Sequence, residues 1–266
     1  MVRVGLVGCG TIGSRVALAL ERRYPKAARL IALHDSHPAH ASRLSRRLRS
    51  HPPAVSLPAL IRRSQLVIEA AAASVAGDVA ARALRAGRTV LVMSVGGLLR
   101  DARWRAAAQH SRGRLLVPSG ALAGLDGAVA LAGGRIRRVT LTTRKPPRAL
   151  AGAPHLRGRD LSRLRRPTVV FEGRPRAVVS AFPQNTNIAA AVMLACGPAG
   201  ARACVRVVAD PTIARNVHEL EVEGDAGRIV CRVESRPSAN PKTSELAVRS
   251  AIATVGRLFD PVVIGT

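Results

Sequence analysis

Between Asp210 and Asp225 the chain reads DPTIARNVHELEVEGD, and from Val217 to Glu223 the residues alternate in type. His218, Leu220 and Val222 fall on one side of an expected strand, while Val217, Glu219, Glu221 and Glu223 fall on the other. The acids mark the face turned to water, so His218 points inward with the apolar residues. An inward imidazole needs a hydrogen-bond partner, and its unperturbed pKa of roughly 6.5 suits proton transfer near neutrality. A hydrogen-bonded core histidine satisfies the same pattern, and the spacing alone leaves both roles open.

A second chemical signal lies near the start of the chain. The apolar stretch Val2 to Val7 runs into Gly8-Cys9-Gly10-Thr11-Ile12-Gly13, after which Ile12, Val16, Ala19 and Leu20 recur at helical spacing. A GxGxxG turn between a strand and a helix suits a dinucleotide. The glycines allow a tight turn and close backbone approach to a pyrophosphate, and the helix start supplies free N–H groups. Cofactor contacts are therefore expected from Gly8, Gly10, Thr11, Ile12 and Gly13. A second strand, Leu30 to Leu33, ends at Asp35, whose carboxylate can accept hydrogen bonds from ribose hydroxyls. Ser36 beside it and Ala71, in a loop after the third strand, complete this set. His34, His37 and His40 with Asp35 resemble a metal cluster, but they occupy the loop expected to hold the adenosine end, and no metal is assigned. Basic side chains there equally suit a 2′-phosphate, so NAD and NADP are both candidates.

These residues must be positioned by a larger frame. Strands expected at Leu66–Ala70, Thr89–Ser94 and Leu115–Val117 alternate with helical stretches near Val75–Arg85 and Leu98–His110. This predicts an α/β, Rossmann-type doubly wound parallel sheet over residues 1–118, with the loops Ala71–Ser74 and Ser94–Gly97 facing the cofactor. Over 119–240 the pattern changes to strands near Arg137–Arg144, Thr168–Glu172, Ala203–Ala209, Asn216–Glu223 and Arg228–Glu234, with one apolar helix, Asn187–Cys196. That is an α+β catalytic and dimerisation domain, in which Gly224 to Gly227 form a hairpin turn. A last helix is expected to start at Asn240-Pro241, to carry Val248, Ile252, Val255 and Phe259 on one stripe, and to return, over 241–266, near the first domain. Lys242, Thr243 and Ser244 in its first turn can seat a substrate carboxylate, although simple capping would use the same residues.

Composition narrows the partners. No run among the 266 residues is long enough and free enough of charge to span a bilayer, and the charged helix following Gly8 leaves no signal-peptide pattern, which predicts a soluble cytoplasmic protein. Four cysteines without a CxxC pair argue against zinc and against a disulfide framework. The net charge of +26 asks for an anionic partner. Yet only Lys26, Lys145 and Lys242 of the 42 basic residues are lysines, and five aromatics are too few for stacking on single strands. The densest arginines, Arg135 to Arg166, read as a basic loop broken by Pro146, Pro147, Pro154 and Gly158. No specific nucleic acid is expected; the charge is a solvated surface that also attracts small anions.

Five further segments carry a family likeness. Pro118-Ser119-Gly120-Ala121 with Gly124-Leu125-Asp126, Phe171-Glu172-Gly173, Phe182-Pro183-Gln184-Asn185-Thr186-Asn187, Ala209-Asp210-Pro211 with Arg215-Asn216-Val217-His218-Glu219, and Asn240-Pro241-Lys242-Thr243-Ser244 resemble those of L-aspartate dehydrogenases, in order along essentially the whole chain. The resemblance implies NAD(P)-dependent oxidation of L-aspartate to iminoaspartate, which hydrolyses to oxaloacetate and ammonia or feeds quinolinate synthesis, and it implies a homodimer. It places the catalytic histidine at His218 and contacts near the nicotinamide at Ala121 and Asn187, with Ser119 a further candidate for the substrate carboxylate. Two other readings share part of this pattern: a related semialdehyde or imine oxidoreductase, and a non-enzymatic protein that senses dinucleotides or binds nucleic acid.

Overall fold

The computed structural model describes residues 1–183, 187–236 and 244–265. It divides into two compact units, the first comprising Met1–Pro118 and Val248–Val263, the second centred on Ser119–Ala247.

In the first unit β1 (Val2–Val7), β2 (Ala28–His34), β3 (Leu66–Glu69), β4 (Thr89–Val92) and β5 (Leu115–Leu116) form one parallel sheet in the order β2-β1-β3-β4-β5. Its helices are α1 (Thr11–Arg23), α2 (Pro38–Arg47), α3 (Leu57–Arg63), α4 (Ala73–Arg85), α5 (Gly96–Arg100) and α6 (Arg103–Gln109). Every residue of β3 is buried, as a sheet covered on both faces requires. Strand order reverses between β1 and β3, which opens a crevice at their carboxyl ends. At the first turn of the glycine loop nothing larger fits: Gly8 has φ +92°, and a Cβ on it would stand 2.5 Å from the Ala70 carbonyl oxygen. A Cβ on Gly13 would collide with the Gly8 carbonyl oxygen, whereas one on Gly10 would meet nothing within 4 Å.

Two local expectations are corrected in this unit, and a further helix is added. The segment after Asp35 is not wholly a loop, because Pro38 opens α2 and Ala41 and Leu44 give that helix a buried edge among polar residues. Leu57, Leu60 and Ile61 likewise make the short α3. The helix expected over Leu98–His110 is two helices, since the Asp101 carboxylate accepts the Arg103 N–H at 3.1 Å and turns the chain between them.

In the second unit β6 (Ile136–Lys145), β7 (Thr168–Gly173), β8 (Cys204–Ala209), β9 (Asn216–Gly224) and β10 (Arg228–Ser235) form a mixed sheet in the order β10-β9-β6-β8-β7. β6 and β8 are parallel and the other pairs antiparallel. The helices α7 (Leu125–Leu131), α8 (Pro147–Leu150), α9 (Pro175–Ala181), α10 (Asn187–Ala195) and α11 (Gly197–Ala201) belong to this unit. Leu141, Leu220, Val222 and Val207 from the sheet join Val178, Phe182 and Val192 in one core. α9 was not foreseen; Pro175 opens it and Val178 and Val179 bury it. The supposed basic loop begins as strand β6, whose arginines pair with the glutamates of β9: Arg138 to Glu221 at 2.8 Å and to Glu223 at 3.0 Å, and Arg144 to Glu219 at 3.3 Å. Val217, expected on that wet face, is buried.

The last helix is α12 (Glu245–Gly256). Residues 240–243 lie outside the described residues, and the described helix is capped by Ser244, whose Oγ accepts the Leu246 N–H at 3.1 Å. Ala251 and Val255 join the core of the first unit, and Phe259 stacks at 5.4 Å on Tyr24.

The glycine loop makes a direct prediction. Gly13→Ala should cost about 1–3 kcal/mol through its collision with the loop backbone, while Gly10→Ala should melt with the parent protein. Thermal unfolding of the two variants checks both.

Candidate active site

The carboxyl edge of the parallel sheet gathers Gly8 to Gly13, Asp35, Ser36 and Ala71. Asp35 ties two strand ends together: its Oδ2 accepts the Cys9 N–H at 2.7 Å and its Oδ1 the His37 N–H at 2.8 Å. Burial raises the Asp35 pKa, but these two N–H groups and nearby His40 outweigh it and hold the carboxyl below its usual range. Asp35 is therefore a structural brace. Ser36 is exposed, and its Oγ lies 3.2 Å from His37 Nδ1.

Of the four residues whose types suggest a metal cluster, three come together. His34 turns away, its Nδ1 2.9 Å from the Val55 carbonyl oxygen, but ligand atoms of Asp35, His37 and His40 lie within 4.8 Å of one another. Beside them a cavity of about 500 Å³ is lined by Cys9, Gly10, Thr11 and His40 together with Arg15, Arg43 and Arg47. Three guanidiniums next to a glycine loop make this an anion-attracting recess.

Sequence reasoning missed Glu69. This last residue of β3 is fully buried, and its carboxylate accepts the Ala71 N–H at 2.8 Å and the Ser94 N–H at 3.0 Å. The Ser94 hydroxyl donates to the Ala71 carbonyl oxygen at 2.8 Å. Glu69 thus clamps together the two loops expected to face the cofactor. Burial pushes its carboxyl up to about 7, against the opposing pull of those N–H groups. The signal was available: an acid ending an apolar strand cannot stay buried without donors.

In the second unit His218 is on the inner face, as the alternation requires, and is 3% exposed. β6 pairs with β9 so that Thr143 stands opposite it, with Thr143 Oγ1 3.2 Å from His218 Nδ1. The expected near-neutral pKa is corrected: burial, assisted by the charge of Lys145, pushes His218 down to about 3. The imidazole is neutral at pH 7. When Nδ1–H donates to the Thr143 hydroxyl, Nε2 carries the free lone pair. Lys145, also missed, is 5% exposed, and burial lowers its pKa to about 8. It could have been found by the rule that found His218, since Val139, Leu141, Thr143 and Lys145 alternate onto one face of β6.

The remaining candidates are placed as follows. Ala121 is buried, Ser119 half-buried, and Asn187 is the exposed first residue of α10. Ser244 is buried and serves as the cap of α12, whereas Lys242 and Thr243 lie outside the described residues. The Asp210 carboxylate turns back on its own loop, accepting the Thr212 N–H at 2.9 Å and hydroxyl at 2.6 Å. Cys9 and Cys196 are buried, which raises their thiols to about 12 and about 11 and leaves them unreactive.

Residues 8–118 match the NAD binding domain of homoserine dehydrogenase, and residues 126–258 match the aspartate dehydrogenase C-terminal family. An L-aspartate dehydrogenase of Methanosarcina barkeri is 44% identical over 100% of both chains. L-aspartate dehydrogenase 3 of Bordetella bronchiseptica is 38% identical over 99% of this chain and 97% of its own. The crystal structure of aspartate dehydrogenase from Thermotoga maritima superposes with a TM-score of 0.77 at 22% identity, covering 100% of both chains, an agreement of fold.

Glu69 should leave a mark on stability. Its pKa is about 7 folded against an ordinary 4.5, so the native state binds more protons between these values and stability falls as pH rises through them. Urea unfolding at pH 4.5 and pH 8 should show the parent losing about 3 kcal/mol relative to Glu69→Gln, whose side chain does not titrate.

Proposed function

We propose, for a chain that belongs to the aspartate dehydrogenase family, that it oxidises L-aspartate with NAD or NADP to iminoaspartate, which is then hydrolysed or handed to quinolinate synthesis. The observation that carries this reading is His218, a neutral imidazole held by Thr143 on the inner face of a sheet, in a chain that also has a dinucleotide-binding domain.

The glycine loop fits a pyridine dinucleotide. Open space at Gly10 admits a pyrophosphate, and Gly8 and Gly13 bring the backbone close to it. Asp35 and Ser36 would take the ribose hydroxyls, and Thr11, Ile12 and Ala71 would line the same edge. Arg15, Arg43, Arg47 and His40 supply the charge for a 2′-phosphate, which supports use of NADP beside NAD. Ala121 and Asn187 would meet the nicotinamide end, the asparagine amide matching the nicotinamide amide in donors and acceptors. When bound, the nicotinamide accepts hydride at C4.

The chain's own residues manage the protons. Loss of hydride from Cα and of a proton from the neutral amine gives the imine. Water then adds to the imine carbon while His218 takes one of its protons and passes it to nitrogen, giving the carbinolamine; the remaining hydroxyl proton then moves to nitrogen through the same imidazole as the carbonyl forms and the C–N bond breaks, and ammonia departs. Ser119 and the Lys242–Ser244 segment are the proposed seat for a substrate carboxylate. No described helix is long and apolar enough to cross a membrane, and the reading extends to a cytoplasmic homodimer.

Ammonium-dependent oxidation of NADH in the presence of oxaloacetate tests the activity. His218→Ala should lower kcat by about 10²- to 10⁴-fold while NAD affinity holds; a stable variant with near-normal turnover would remove His218 from the chemistry. Asp35→Ala should weaken NAD by about 1.5–3 kcal/mol and NADP less. Equal losses in the two titrations would assign Asp35 to bracing the Cys9 and His37 loops alone.

A further inference from the structure

The inner faces of β6 and β9 are apolar as far as Leu141 and Leu220 and polar beyond them. Thr143 and His218 form the first polar rung, and Lys145 follows one inner-face position further along β6. Asn216 takes the corresponding place on β9 and is also buried. Among the described residues, the ionisable groups near Lys145 include His218 on β9 and Asp210 after β8, whose carboxylate is held by Thr212 and whose backbone N–H donates to the Lys145 carbonyl oxygen at 2.9 Å. On the opposite face of the sheet Glu219 pairs with both Arg144 and Arg232.

The residue type at this position is itself informative. Among 42 basic residues only three are lysines, and one of them stands on this inner face. A guanidinium there would be a permanent charge, whereas a buried ammonium is compact and can exchange its proton. A buried ammonium beside a neutral imidazole is suited to one carboxylate of a short dicarboxylate.

We propose that Lys145 binds a carboxylate of the substrate beside His218, and that this pairing turns His218 from a neutral hydrogen-bonding group into a proton acceptor. The inference rests on the reading of His218 as the acid–base group and gives that group its control. In the empty protein, burial and the Lys145 charge hold the imidazole down to about 3, too weak a base to take a proton from water. A bound carboxylate offsets the ammonium charge and adds a negative charge near the ring, which favours the imidazolium. Proton acceptance then waits for substrate.

Succinate, an unreactive four-carbon dicarboxylate, is the probe. Followed by NMR, His218 of the parent protein should titrate at higher pH when succinate is added. In Lys145→Met, which replaces the buried charge with an apolar chain of similar length, free His218 should titrate higher than in the parent and ignore succinate. The same variant should raise the KM for oxaloacetate about 10- to 100-fold, the worth of a charge-assisted hydrogen bond, with the KM for NADH unchanged. Lys145→Arg keeps a charge and should recover part of that KM. The parent's kcat/KM for oxaloacetate should fall as pH rises through about 8, where Lys145 loses its proton, and this limb should be absent from Lys145→Met. An unaltered oxaloacetate KM in the methionine variant, or a parent His218 indifferent to succinate, overturns the proposal. Should the variant fail to fold, the parent titration decides alone. A parent protein that turns over no oxaloacetate would defeat the functional reading, while the succinate titration would still judge Lys145.

Discussion

The register of β6 against β9 decides what the second unit can do. Side chains alternate across a sheet with a period of two, so a slip of either strand by one residue would carry its polar residues, Thr143 and Lys145 of β6 or His218 of β9, to the wet face. Two opposing demands lock the register. On one face Leu141 lies against Leu220 and Val139 against Val222 in the core. On the other, Glu219, Glu221 and Glu223 meet Arg144, Arg138, Arg228 and Arg232. Each exposed pair contributes little by itself, but a slipped strand would bury the acids and expose the leucines at once. The apolar rungs therefore hold the polar ones in place.

The first unit solves a different problem, close approach. Its crevice depends on backbone meeting backbone, where Gly8 packs against Ala70 and Gly13 against Gly8, and neither glycine tolerates a Cβ. Glu69 and Asp35 then secure the strand ends around that point with their side chains, each accepting two backbone N–H groups. One of these acids is fully buried and pushed toward neutrality, and the other, nearer solvent, is held ionised. The difference follows from burial, since both make the same kind of bond.

Much of this was legible in residue order. Alternation placed His218 inward, and the strand–glycine–helix sequence located the crevice before any coordinates. What escaped were features that local pattern does not carry. α2 is polar except for a thin edge at Ala41 and Leu44, so its helical period was weak. The break at Asp101 depends on one side-chain bond. The weak basicity of His218 comes first from burial and then from the charge of a lysine 73 positions away in the chain, brought near by the β6–β9 ladder. Lys145 itself obeyed the alternation rule and was overlooked because its neighbours in sequence, Arg144 and Pro146, read as the start of a basic loop.

The large positive charge looks different once the structure is known. Arginines lie mainly where water screens them, in ladders on the outer face of the sheet and around the recess beside the glycine loop. Among the described residues, Glu69, His218 and Lys145 are buried, and each is shifted by burial toward its neutral form. The neutral form costs least to bury, so the fold can hold these proton-exchanging groups in dry surroundings. The cost is weak basicity at His218 in the empty protein. An anionic substrate repays that cost when it binds, because its own charge restores the base that its reaction requires.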